Sequence, residues 1–71
     1  NVSIYPNPVT NNFQIDAIKS IESVEIYSVT GQLLKTFSEE TTYDISDLAA
    51  GMYIADIKTE VGSKTLRVIK N

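Results

Sequence analysis

The chain has no cysteine, no histidine and no tryptophan, and each absence removes a class of chemistry. Without cysteine there are no disulfide staples and no thiolate metal site, so the fold must be held by packing and hydrogen bonds. Without histidine the commonest general base near neutral pH is missing, and without tryptophan so is the best flat platform for a sugar or a nucleobase. No apolar run approaches the ~20 residues that span a bilayer, and no basic start followed by an apolar stretch marks a signal peptide. Neither membrane insertion nor a bound cofactor or metal is expected. Because Asn1 stands where an initiating methionine would, a longer precursor is expected, with any targeting signal upstream.

What is present favours β-structure. The 71 residues are 42% hydrophobic, enough for one small domain over 1–71, although chains near this size bury only roughly 60% of their unfolded surface. Isoleucine and valine supply half of those apolar residues, and both are stiff at χ1 and pack well on a pleated surface. The net charge is −3, which argues against nucleic acid, whose phosphates are bound by clustered Lys and Arg. The charge is unevenly spread: Lys64, Arg67 and Lys70 are three of the six basic residues and lie in a final stretch without a single acid.

The alternation of apolar and polar residues predicts about seven short strands. A first, over 2–5, is stopped by Pro6 and Pro8, which cannot donate to a ladder. Asn11-Asn12 supplies turn chemistry before a second strand with Phe13 and Ile15 inward. The spacing of Ile15, Ile18 and Ile21 predicts one helical turn over 17–20. From Ser23 the period is two, with Val24 and Ile26 on one face and Glu25 and Tyr27 on the other, until Gly31 turns the chain. The partner strand over 32–37 has an ambiguous register at Leu33-Leu34, because a one-residue slip exchanges its faces. Residues 39–42 read as a loop, and Tyr43 and Ile45 alternate. Residues 46–51 then read as a capped helical turn closed by Gly51. Residues 52–59 form a central strand, 60–63 a hairpin loop, and 65–69 a returning strand with Leu66 and Val68 inward and Arg67 outward.

Short strands with regular turn signals predict an all-β, immunoglobulin-like antiparallel sandwich. Leu48, Gly51 and Tyr53 sharpen this, because such sandwiches place a corner tyrosine where the chain enters a late strand. The Tyr53 hydroxyl is therefore expected to bond to backbone just upstream.

Taken in order, Tyr5-Pro6-Asn7-Pro8, the hairpin from Ile26 to Gln32, the corner from Leu48 to Tyr53 and the basic last strand resemble the C-terminal sorting domain of type IX (Por) secretion cargo from Bacteroidota. The resemblance covers essentially the whole chain. It implies a noncatalytic export signal, fused behind a cargo domain and recognised in the periplasm by an outer-membrane translocon. It further implies removal by a sortase-like protease, and cargo that is secreted or held at the cell surface on lipopolysaccharide. Pro6, Asn7 and Pro8 match the family's proline motif, Gly51 and Tyr53 its glycine-x-tyrosine motif, and the segment with Lys64, Leu66, Arg67, Val68, Ile69 and Lys70 its basic terminal strand. Asn71 after Lys70 departs from the usual basic ending.

Blander readings stand beside these. Pro6-Asn7-Pro8 reads equally as a strand terminator, and lysines on an edge strand protect against aggregation. An exposed terminal strand can also accept a partner sheet, or a second copy of the domain. Asp44 and Asp47, with Glu39 and Glu40, lack the ordered carboxylates and central glycine of a calcium loop. Ser63-Lys64 lacks the orienting group and oxyanion site of a nucleophile pair. The rival function is an accessory carbohydrate-binding or structural sandwich of a secreted enzyme; the carbohydrate reading requires several of Tyr5, Tyr27, Tyr43 and Tyr53 to be exposed in a row.

Overall fold

Period-two alternation produces seven strands in the computed structural model, which describes residues 2–17 and 20–71. They are β1 (Val2–Tyr5), β2 (Asn12–Ala17), β3 (Ile21–Ser28), β4 (Leu33–Phe37), β5 (Tyr43–Asp44), β6 (Gly51–Thr59) and β7 (Gly62–Lys70). They form two antiparallel sheets, ordered β1-β2-β5 and β4-β3-β6-β7. The chain changes sheet after β2, β4 and β5, so consecutive strands are shared between two layers over one core, the immunoglobulin-like sandwich expected from the sequence.

The core is built from the inward residues of both layers. Phe13 and Tyr43 of the smaller sheet stack with centroids 5.4 Å apart, and Phe37 of the larger sheet meets Tyr43 edge-on at 5.3 Å. Around this trio pack Val24, Ile26, Ala55, Ile57 and Val68, all fully buried, with Ile45 beside them. Tyr43 keeps its hydroxyl satisfied by accepting the Glu40 N–H at 3.2 Å. That lets a large ring occupy the centre without an unpaired polar atom.

The two hairpins settle what the sequence left open. In the first, Gly31 takes φ +94° while its N–H bonds to the Ser28 carbonyl. Ile26 lies opposite Lys35 but Tyr27 opposite Leu33, so Leu34 is the extra residue of a bulge. The doublet thus has no single register: one leucine is paired and the other is bulged. In the second, Thr59 already faces Gly62. The loop is only Glu60-Val61, and Gly62 and Ser63 belong to β7 instead of to the loop expected over 60–63. The Thr59 hydroxyl closes this turn, donating to the Gly62 carbonyl at 3.2 Å and accepting the Val61 N–H at 3.3 Å.

Two local expectations are corrected. Residues 46–51 make a single turn, not a helical one: Leu48 N–H bonds to the Ile45 carbonyl at 3.0 Å, and the Asp44 carboxylate, not the Ser46 side chain, caps it by accepting the Ser46 N–H at 2.9 Å. An aspartate bonding backbone two residues on offers the chain an alternative to helix, and Gly51 opens β6 instead of closing a helix. For the helical turn expected over 17–20, Ala17 ends β2 as a strand residue, and residues 18–19 lie outside the described residues.

The same Asp44 interaction carries a pH signature. The Ser46 N–H and hydroxyl, with Lys35 nearby, hold the Asp44 carboxyl below its ordinary value. A carboxyl whose folded value is depressed contributes stability that is present above the unfolded value, near 3.9, and is lost as the pH falls through the folded one. Asp44→Asn should therefore lower the melting temperature at pH 7, and the gap between the variants should narrow as the pH falls to 2 to 3. Parallel thermal melts check this.

Candidate functional site at the clamped terminal strand

β7 is the last strand of its sheet, so one side of its backbone faces away from β6. Main-chain groups alternate in direction along a strand. Those of Arg67, Ile69 and Asn71 that point off the edge are identified by what they bond. The Asn7 carboxamide donates to the Arg67 carbonyl at 3.2 Å and accepts the Ile69 N–H at 3.1 Å, acting as a peptide group would. The Val9 N–H then bonds to the Ile69 carbonyl at 2.6 Å, and the Asn71 N–H to the Val9 carbonyl at 2.8 Å. Val9 bridges Lys70 in parallel and is fully buried.

The proline motif is thus a clamp on the terminal strand. Pro6 and Pro8 have no N–H to offer an edge, which leaves the Asn7 side chain and the Val9 backbone as the groups that can pair with it. At on the order of 1 kcal/mol per hydrogen bond, with about 1.5–3 kcal/mol for burying a valine, the clamp rivals a core contact in weight. Both readings of Pro6-Asn7-Pro8 meet here: the motif ends β1, and it remains exposed while joined to the last strand.

The end of the terminal segment divides by the same alternation: Arg67 and Ile69 are exposed, Leu66 is half-buried, and Val68 and Lys70 are buried, whereas Lys64, on the face of Leu66 and Val68, is exposed near the hairpin. Lys70 is 8% exposed and its ammonium bonds to the Asn71 main-chain oxygen at 3.0 Å. The Val68 and Lys70 side chains are thus withdrawn from the surface of the folded domain. The accessible cations of β7 are Lys64 and Arg67. Lys70, grouped in the sequence with the other two as an edge cation, is two residues from the inward Val68 and so shares its face. The clamp itself was missed in the sequence, since it joins residues some sixty positions apart.

The corner is as expected. The Tyr53 hydroxyl donates to the Ala49 carbonyl, Leu48 packs against the core, and Gly51 takes φ +154° where β6 begins. Tyr53→Phe should cost about 1 kcal/mol, the net worth of one hydrogen bond, measurable as a lower urea midpoint at unchanged slope.

The other candidates are assigned structural work. Tyr43 is in the core and Tyr5 is half-exposed on the opposite sheet from Tyr27. Tyr27 lies opposite Ile54, the residue after Tyr53, so the two rings point to opposite faces. The Tyr27 hydroxyl donates to Glu25 at 2.9 Å, which raises its pKa. The four rings form no row, and the carbohydrate reading loses its basis. Asp44 caps a turn, and Asp47 makes an exposed ion pair with Lys35 at 3.0 Å. Ser63 and Lys64, adjacent on a strand, point to opposite faces and form no nucleophile pair.

The distinctive motifs of this small immunoglobulin-like sandwich thus converge on one edge. Residues 3–71 match the family model described as the secretion system C-terminal sorting domain. The chain belongs to that family, the noncatalytic sorting domains of type IX secretion. Membership implies a secreted or surface-exposed cargo and interaction with the secretion machinery. A search of curated proteins found no match.

Proposed function

We propose that the clamp and β7 together are what the type IX outer-membrane translocon reads, and that the domain directs a cargo fused before it across the outer membrane. A sortase-like protease then cuts in the linker ahead of β1, and the cargo is released or joined to surface lipopolysaccharide. The observation that carries this reading is the set of four hydrogen bonds joining residues 7 and 9 to residues 67–71. Two motifs far apart in sequence become one surface, with Pro6, Asn7, Pro8, Arg67 and Ile69 exposed on it. Family membership supports it independently.

The test is a reporter carrying an inner-membrane signal and residues 1–71 at its C-terminus, expressed in a bacterium that has this secretion system. The fused reporter should reach the medium or cell surface, and the reporter without the domain should stay in the periplasm. Equal distribution of the two would remove the reading.

A further inference from the structure

The clamp closes only part of the β7 edge. The alternation that aims the Arg67 carbonyl and both Ile69 groups at Asn7 and Val9 aims the N–H and C=O of Ser63 and Thr65, and the Arg67 N–H, the same way. Among the described residues no strand pairs with them. Edges are ordinarily blunted by bulges, prolines or cover. The opposite edge of this sheet, β4, carries the Leu34 bulge, whereas β7 runs in unbroken register from Gly62 to Lys70 and contains no proline. The open half is therefore straight and unpaired, with β1 of the other sheet nearby through Val2.

Charge selects among occupants. Two copies pairing through the off-edge groups of residues 63, 65 and 67 would set Lys64 against Leu66 and Arg67 against Ser63, so that pairing gains no contact between opposite charges. A strand bearing carboxylates meets the opposite situation. Beside the same half lies a recess of about 160 Å³ walled by Val2, Ile57 and Val61, with Lys64 at its side. Resting on the reading of β7 as the docking strand, we infer that residues 63–67 accept an extended strand of a translocon protein by backbone pairing. That strand turns an apolar residue toward the recess and places carboxylates beside Lys64 and Arg67. The clamp keeps the Arg67 carbonyl and residues 68–71 out of this pairing and so fixes its register.

Thr65→Pro tests it in the reporter fusion, because proline removes an N–H that faces off the edge and leaves the β6 ladder intact. Thr65→Val, which keeps that N–H, measures the share of the side chain. With matched melting transitions, Thr65→Pro should export about tenfold or more below Thr65→Val, as loss of a backbone-paired strand implies. Export of Thr65→Pro at the level of Thr65→Val overturns the inference. If Lys64→Glu with Arg67→Glu abolishes export while Thr65→Pro does not, β7 still docks but not by strand addition. If neither variant affects export, both readings fall. Should Thr65→Pro fail to fold, a photo-crosslinker at position 63 decides: adducts with an outer-membrane secretion protein, absent when the crosslinker is at Thr36 on the β4 edge, support the inference. Equal yields, or adducts with a second copy of the domain, overturn it.

Discussion

Removing residues 66–71 should abolish cooperative unfolding as well as export. The deletion takes the buried Val68, half-buried Leu66, most of the ladder that pairs β7 with β6, and every partner of the clamp. A chain of 71 residues has, at 0.05–0.15 kcal/mol per residue, roughly 4–11 kcal/mol of stability in all. The clamp's hydrogen bonds at about 1 kcal/mol each, and about 1.5–3 kcal/mol for Val68, already consume most of that. Circular dichroism of the truncated domain should show no sharp thermal transition. A truncated domain that melts sharply near the parent temperature would show that β7 is an appendage and not part of the core. Loss of export on truncation alone thus cannot separate unfolding from loss of a docking strand.

Val9→Asp should be the next most damaging. Val9 is fully buried between the proline motif and β7, with Lys70 as its partner across the bridge. Exchanging packed apolar volume for a buried ion pair with Lys70 costs about 1–4 kcal/mol, because desolvation exceeds the Coulombic gain, or the carboxylate returns to solvent by pulling the clamp off the strand. Asn7→Ala removes two partly solvated hydrogen bonds and should cost only about 1–2 kcal/mol. Urea titrations of the two variants should rank them in that order. If Val9→Asp were the milder, the clamp would hold through the asparagine amide and not through the buried valine.

The strands were legible because each carries its own period. Val24 and Ile26, Tyr43 and Ile45, Ala55 and Ile57, and Leu66 and Val68 alternate with polar or exposed neighbours, and these are the residues that face the core. The Tyr53 corner was legible because its hydrogen bond is local, four residues back along the chain. Three features were not. Whether Leu33 or Leu34 pairs with β3 depends on a bulge that no alternation encodes. The turn after Ile45 depends on which of two neighbouring side chains, Asp44 or Ser46, reaches the backbone first, and both are good caps. The site was half visible: the two motifs could be picked out separately, but their union rests on hydrogen bonds that only the sandwich brings within reach.

That union gives the domain a physical logic. A basic terminal strand left free would be a template for indiscriminate pairing. Clamping its last residues with Asn7 and Val9 turns it into a rigid, partly closed edge, and burying Lys70 leaves Lys64 and Arg67 as the cations it presents. The acidic remainder of the chain, net −3 overall, sets that basic edge apart.

The most direct measurement is export of the reporter fused to residues 1–71 carrying Lys64→Glu and Arg67→Glu, both exposed positions whose reversal should leave the melting temperature within a few degrees of the parent. The account predicts a folded domain whose cargo accumulates in the periplasm. A folded variant exported as efficiently as the parent would contradict it.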